Sequence, residues 1–443
     1  MNIGFISLGC PKNRVDTEIM MALLKKSGHR IVSSLEDAET IIINTCGFIS
    51  SAQEEAIDTI LETGKLKTQG KLKYLIATGC LSQRFGKQLL DELPELDGIA
   101  GIASLTAINE LVEEVQKGKR IAATGALPEL FIEKGPRILT TPPGSAYLKI
   151  SEGCNNHCTY CTIPSIRGKL RSRPLEELIL EAKDLVKRGI KEITLIAQDT
   201  AVYGWDLYGK HRLVALLKEI NKIEGLEWVR LMYLHPLHIN NELIDTIASE
   251  TKIIPYLDIP IQHASNKILK LMNRHQDVND LRRLISDLRE RIDGLVLRTT
   301  VIVGFPGEEA ADFQQLYDFV GETVFDCLGI FTYAAEEGTP AAMMDAQVDE
   351  EIKAQRFDEI TNVQQKINRH KNISRIKSVQ KILISTQTGK GLYIGRGYYQ
   401  APEVDGLTIV KCKSRLTKGE FYDVQLIGVR NYDMIGELAN ERA

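Results

Sequence analysis

The chain has 443 residues, of which 43% are hydrophobic and 26% charged, a balance that excludes a disordered or fibrous protein. Its formal net charge of -4 argues against a nucleic-acid coat over the whole surface, while leaving room for a local basic patch. The length predicts roughly two to four domains. The stretch Met1–Leu8 lacks the basic start of a signal peptide, and no apolar run approaches the roughly 20 residues of a membrane helix. With eight cysteines, a reducing, cytoplasmic setting with no membrane partner is expected.

The first segment alternates strand and helix patterns. Ile3 to Leu8 reads as a buried strand, followed by a helix from about Arg14 to Ser27 that stops at Gly28. The runs Ile41–Asn44 and Tyr74–Ala77 read as further strands, with helices over Ser51–Thr63 and Ser82–Leu93. This rhythm predicts a parallel α/β domain over residues 1–125. Cys10, Cys46 and Cys80 each fall just past the C-terminal end of one of these strands. Parallel strands bring such ends to one edge, where open α/β sheets bind ligands, so three thiols from three loops are expected to converge. Unrelated buried cysteines are the alternative, free cysteine being a common core residue. Gly9, Gly47 and Gly79 accompany them and suit close approach of the backbone to a bulky ligand.

From about Glu133 to Ser145 the sequence turns irregular, with Gly135-Pro136 and Thr140-Thr141-Pro142-Pro143-Gly144, and residues 126–143 read as a linker. Residues 144–372 then repeat strand and helix six times. The strands are expected at Tyr147–Ile150, Ile193–Ala197, Val229–Leu234, Tyr256–Ile261, Leu297–Val303 and Leu328–Tyr333. Six units are fewer than the eight that close a TIM barrel, so a partial, open (β/α)6 barrel follows, with its site at the C-terminal strand ends. There lies Glu152-Gly153-Cys154-Asn155-Asn156-His157-Cys158-Thr159-Tyr160-Cys161, with the spacing C-x3-C-x2-C. Three cysteines are one short of tetrahedral structural zinc and odd for disulfides, but they fit a 4Fe–4S cluster with one iron left open. A zinc knuckle or incidental thiols are the alternatives. His157 reads as a loop spacer, because three thiolates suffice. A long charged helix over Asp349–Asn372 leads to residues 373–443, whose short strands and glycine turns predict a small antiparallel β-barrel. Tyr393, Tyr398, Tyr399, Lys411, Lys413 and Arg415 offer that barrel a surface for RNA or a ribosome, an ordinary solvated surface being the alternative.

The cysteine loop, with Tyr160 before its third cysteine, resembles the signature of the radical S-adenosylmethionine (SAM) enzymes. With the three strand-end cysteines and the small terminal barrel, nearly the whole chain resembles the methylthiotransferases. The resemblance implies an auxiliary 4Fe–4S cluster on Cys10, Cys46 and Cys80, a SAM-binding 4Fe–4S cluster on Cys154, Cys158 and Cys161, and a TRAM domain at residues 373–443. One branch of the family modifies a tRNA adenosine near the anticodon; the other modifies an aspartate in small-subunit ribosomal protein S12. Gly9-Cys10-Pro11-Lys12-Asn13, Asn44-Thr45-Cys46-Gly47-Phe48-Ile49 and Ala197-Gln198-Asp199-Thr200 look like the ribosomal-protein branch, and the Gln-Met-Asn usual after the first cysteine of the tRNA branch is missing.

The implied chemistry is one-electron cleavage of SAM to a 5′-deoxyadenosyl radical, hydrogen abstraction at the aspartate β-carbon, and delivery of a methylated sulfur from the auxiliary cluster. By the same resemblance the N-terminal domain is expected to sit over the barrel mouth. A flavodoxin or ferredoxin is the expected reductant, the ribosome or its protein the partner, tRNA the lesser alternative, and the oligomeric state monomeric. A non-enzymatic iron–sulfur RNA-binding protein is the remaining rival. SAM contacts beyond the iron are assigned to Tyr160, Gln198, Asp199, Gln262 and Gly304, with Gln198-Asp199 standing where many relatives carry Gly-Gly-Glu. A plain turn is the alternative for Gly304. His263 is placed beside Gln262 at the cavity. Arg167, Arg171 and Arg173 are read as meeting a carboxylate or as a solvated basic loop. Cys327 and Cys412 are read as small buried hydrophobes.

Overall fold

The computed structural model describes residues 1–441. The chain packs as two compact units. The first joins Met1–Thr140 to two later excursions, Ser151–Arg173 and Ala334–Ala342; the second takes Thr141–Ile150, Pro174–Tyr333 and the chain from Met343 onward.

In the first unit, β1 (Asn2–Ser7), β2 (Arg30–Ile31), β3 (Thr40–Thr45), β4 (Tyr74–Gly79), β5 (Gly98–Ala100) and β6 (Ile121–Ala123) form one sheet of order β2-β1-β3-β4-β5-β6. Every pairing in it is parallel. Its β3 is buried along its full length. That is why Ile41, Ile42 and Ile43 run without polar interruption: a parallel strand covered on both faces has no position that meets water. The helices are α1 (Pro11–Lys26), α2 (Ser50–Thr68), α3 (Cys80–Glu92) and α4 (Ile108–Gln116). Ala56 and Ile60 of α2, with Leu81, Leu89 and Leu90 of α3, pack on Ile41, Ile43, Leu75 and Ala77, while α1 packs with α4. The strands β2, β5 and β6 escape sequence patterning because they are only 2, 3 and 3 residues long.

The helix starts are earlier than their apolar patterns suggest. Pro11, whose fixed φ suits a first helical turn, opens α1 with Cys10 as its N-cap residue. Likewise α3 opens at Cys80 itself, with Gly79 as N-cap at φ 98°. An N-cap does not contribute to hydrophobic periodicity, so the pattern begins a turn late.

The chain then passes through β7 (Ser145–Lys149) in the second unit and returns to the first with a two-stranded ribbon, β8 (Ser151–Glu152) and β9 (Arg171–Ser172), paired antiparallel. Between them lie the three-cysteine loop and α5 (Ile163–Arg167).

The second unit continues with β10 (Glu192–Ile196), β11 (Trp228–Leu231), β12 (Ile253–Asp258), β13 (Val296–Val303) and β14 (Cys327–Thr332). The sheet order is β14-β13-β12-β11-β10-β7, all parallel, and its two edge strands are not joined. This is the expected open six-stranded barrel. A helix over Glu350–Ser374 leads to β15 (Val379–Gly389), β16 (Leu392–Arg396), β17 (Thr408–Lys411), β18 (Phe421–Arg430) and β19 (Asp433–Leu438), a closed five-stranded barrel. One of its pairings departs from the antiparallel expectation: β17 and β19 run parallel. The closing strand β19 has a single β-branched residue, Ile435, so the sequence pattern passed over it. Tyr393 and Tyr399 are buried in this barrel rather than displayed for stacking, whereas Lys411, Lys413 and Arg415 are exposed. The barrel is fastened to the parallel sheet through buried Glu192 of β10, whose carboxylate takes Arg396 Nη2 at 2.6 Å and Arg230 Nε at 2.9 Å. Among the described residues no helix is long and apolar enough to cross a membrane.

Candidate functional site

The cysteines at the ends of β1, β3 and β4 are brought together as expected, and the agent is Asn13. Its buried Nδ2 donates to Thr45 O at 2.9 Å and to Leu8 O at 3.2 Å, tying the loop after β1 to the loop after β3. Its Oδ1 lies 4.0 Å from Cys10 Sγ and 3.7 Å from Cys80 Sγ. Asn44 returns the grip, donating to Asn13 O at 2.7 Å and to Thr17 Oγ1 at 2.9 Å, and Thr45 Oγ1 donates to Thr78 O at 2.6 Å on the neighbouring strand. Sequence reading used Asn13 and Asn44 only as family markers; the signal for their role was their fixed place beside cysteines.

The neighbouring glycines serve a different purpose from the one expected. A Cβ on Gly9 would lie 3.0 Å from Cys46 Cβ, one on Gly47 2.7 Å from the Leu81 backbone, and one on Gly79 2.2 Å from Asn44 Oδ1. The space is taken by the protein's own loops. These glycines let the three cysteine-bearing loops close on one another rather than leaving backbone bare for a ligand.

Burial pushes the Cys80 thiol up to about 11, with Arg167 opposing the rise, and burial likewise pushes Cys46 up. The raised values favour the protonated thiols, so a metal held there would have to displace their protons. Cys10 is the N-cap residue of α1 and Cys80 the first residue of α3.

The C-x3-C-x2-C loop belongs to the same compact unit. Cys154 N donates to Gly168 O at 3.0 Å, closing the loop base, and Cys161 N donates to Cys158 O at 3.1 Å. Gly153 has φ 76° and no room for a side chain, since a Cβ would lie 2.1 Å from Lys169 O. Asn156 N points at Cys154 Sγ from 3.4 Å, a donor of the kind that stabilises a cluster thiolate. Thr162 Oγ1 reaches Phe48 O at 3.4 Å, so the loop touches the segment that carries Cys46. His157 is exposed, in keeping with a spacer.

The basic residues after the loop are not solvated. Arg167, Arg171 and Arg173 are buried, and the first two meet carboxylates of this chain: Arg167 Nη1 lies 2.6 Å from Glu152 and Arg171 Nη2 2.7 Å from Glu133. Of the two readings, meeting a carboxylate holds for Arg167 and Arg171, and the carboxylates are the chain's own. Arg84 and Glu336 make a similar buried pair at 2.9 Å, and Glu336 also accepts from Ser50 N and Oγ and from Gln53 Nε2. This fixes the start of α2 just beyond Cys46, and no sequence signal marked it.

The remaining candidates except Tyr160 lie in the second unit. Asp199 follows β10; its Oδ1 accepts from Ala201 N at 3.1 Å, and its Oδ2 is 2.8 Å from His238 Nδ1. His235 stands beside them, and burial together with Arg274 pushes it down to about 3, so it is neutral. Asp199, His235 and His238 bring metal-ligating atoms within 4.8 Å of one another, but the Arg274 charge opposes a further cation there. Gln262 follows β12 at φ 70°, a strained conformation for a non-glycine residue, and its buried Oε1 has no hydrogen-bond partner among the described residues. An orphaned acceptor at a barrel strand end fits a polar ligand that donates to it. His263 turns inward: its Nδ1 accepts from Ser265 N at 3.0 Å and its Nε2 lies 3.3 Å from Glu308. Gly304 has φ 71°, the stem of Lys353 fills the place of its missing Cβ, and its N–H donates to Glu308 at 2.8 Å. Cys327 is not a plain hydrophobe: burial and a hydrogen bond with Asp405 raise its pKa. Cys412, half-buried, donates to Ser414 O at 3.2 Å.

An open six-stranded parallel barrel followed after its first strand by C-x3-C-x2-C is the fold and site of a radical-SAM enzyme. Residues 148–320 match the Radical SAM superfamily, 2–101 the uncharacterized protein family UPF0004, and 378–439 the TRAM domain. The radical S-adenosylmethionine methyltransferase TsrM from Kitasatospora setae, solved with cobalamin and a [4Fe-4S] cluster, shares the fold at TM-score 0.57 and 15% identity over 77% of each chain. The ribosomal protein uS12 methylthiotransferase RimO of Syntrophomonas wolfei is 61% identical over 99% of this chain and 100% of its own. That of Clostridioides difficile is 47% identical over 100% of both. The chain belongs to this family of radical-SAM methylthiotransferases, whose cofactors are 4Fe–4S clusters and SAM.

Proposed function

We propose that the protein adds a methylthio group to the β-carbon of an aspartate in ribosomal protein uS12. The observation that carries this reading is the likeness to uS12 methylthiotransferases over 99% of this chain, which also matches three family models along its length. We assign Cys154, Cys158 and Cys161 to the SAM-binding cluster and Cys10, Cys46 and Cys80 to the auxiliary one; three sulfur donors with N–H groups aimed at them suit such a cluster. When bound, the two clusters supply one-electron reduction of SAM and a site for sulfur. The chain's own groups do the holding. Asn13 keeps the auxiliary cysteines in register, Arg167 and Glu152 pin the loop of the other set, and Gln262 Oε1 offers SAM an acceptor. Tyr160, Gln198, Asp199 and Gly304 are retained as further residues near SAM.

A flavodoxin- or ferredoxin-class reductant, a monomeric enzyme and a cytoplasmic setting complete the proposal, since the substrate is part of the ribosome. The exposed Lys411, Lys413 and Arg415 of the terminal barrel suit the ribosomal surface.

The test is to incubate the reduced enzyme and SAM with ribosomes or the uS12 loop peptide, and separately with unmodified tRNA, and to weigh the products. A methylthio mass gain on the protein is expected. The same gain on tRNA alone would overturn the substrate while leaving the enzyme class intact.

A further inference from the structure

Arg167 closes α5, the helix that follows the three-cysteine loop, yet its head group reaches the other cysteine set. The side chain is 1% exposed. Nη2 donates to Cys80 Sγ at 3.3 Å and to Asn13 Oδ1; Nη1 meets Glu152 Oε2 at 2.6 Å and Asp16 Oδ2 at 3.5 Å. Ile166, the residue before it, is buried against Cys80 and Ile102.

Salt bridging alone does not account for this arrangement. Glu152 and Asp16 both face Nη1, while Nη2, which carries its own share of the delocalised positive charge, is aimed at the sulfur. Guanidinium is the side chain whose rigid fork serves both directions at once; an ammonium is a point charge on a flexible stem.

We propose that Arg167 is a positioning residue that tunes the cluster held by Cys10, Cys46 and Cys80, raising its midpoint potential through an N–H···S bond and a buried positive charge at Cys80. This rests on the cysteine assignment above. The physics is direct. One-electron reduction adds a negative charge to the cluster, and a fixed cation in a water-poor site stabilises the reduced form more than the oxidised one. Hydrogen bonds to cluster sulfurs act in the same sense. Because Arg167 is part of the segment that carries the other cysteines, any shift of that loop is felt at Cys80.

The experiment uses the full-length chain with Cys154, Cys158 and Cys161 changed to Ala, reconstituted with iron and sulfide without oxygen so that one cluster remains. Its midpoint potential is read by electron paramagnetic resonance during a redox titration. R167Q should shift the midpoint to more negative potential, and R167K, which keeps the charge but not the fork, should fall between. If R167Q fails to fold because Glu152 is left unpaired, the R167Q/E152Q pair removes a cation and an anion together and should show a smaller shift in the same negative direction, that of the lost N–H···S bond. Full iron content with an unmoved midpoint in these variants overturns the role of Arg167. Absence of iron from the Cys154/Cys158/Cys161 variant with Arg167 intact overturns the cysteine assignment instead, so the two failures are distinguishable.

Discussion

At the scale of single residues, the site proposed for the auxiliary cluster depends on a side chain that is not one of its proposed ligands. Asn13 spends its amide nitrogen on two backbone carbonyls from two loops and its oxygen on Arg167. Changing Asn13 to Ala would leave Thr45 O and Leu8 O without their donor in a buried place, a loss of about 1–3 kcal/mol. The expected outcome is a lower melting temperature and weaker iron retention at Cys10, Cys46 and Cys80, with iron at Cys154, Cys158 and Cys161 largely kept. Iron analysis of the variant against the unchanged chain checks this; equal retention at both sets would remove Asn13 from the site.

At the scale of elements, the decisive contact is the one that joins the terminal barrel to the parallel sheet. Burial by itself would push the Glu192 carboxyl up, but Arg396 and Arg230 outweigh it and hold the group at about 2, against an ordinary 4.5. A depressed carboxyl gives stability that is complete above its unfolded value and is lost as the pH falls toward the folded one. The protein should therefore lose part of its stability between about pH 4.5 and 2, where β10 is released from β16. Thermal melts across that range should show this component in the unchanged chain and not in E192Q. The variant should also be destabilised at neutral pH by about 3–5 kcal/mol, because two buried guanidinium groups lose their shared anion.

Elements also show where patterning succeeds. The continuous isoleucines of β3, and the barrel strands β7, β10 and β11, were legible because burial on both faces leaves one simple signature, whereas β13 alternates in burial and β14 is half-buried to exposed. The starts of α1 and α3 were read late because capping positions carry no periodicity, and β2, β5 and β6 were too short to carry any.

At the scale of the whole molecule, all six proposed ligands belong to one compact unit, although Cys10 and Cys161 lie far apart along the chain. Their roles should nonetheless separate. Changing Cys154, Cys158 and Cys161 to Ala should abolish SAM cleavage and remove one cluster's worth of iron. The Cys10, Cys46 and Cys80 triple change should remove as much iron, yet leave cleavage of SAM to 5′-deoxyadenosine intact while ending methylthio transfer. Anaerobic reconstitution, iron analysis and chromatography of the nucleoside check both outcomes, and loss of cleavage in the second variant would merge the two sites into one.

The sequence by itself determined the chemistry: C-x3-C-x2-C is local, so its meaning survives without a fold, and βαβ periodicity carried Cys10, Cys46 and Cys80 to one sheet edge. Only the tertiary structure decided what holds them there. The Asn13 clamp, the reach of Arg167 to Cys80, and the Glu192 joint each link positions remote in the chain. Buried polar groups must find partners, but which partner each finds is set by packing rather than by any periodic pattern. An arginine next to a cysteine loop reads the same whether it faces water or a sulfur, and burial is what distinguishes the two.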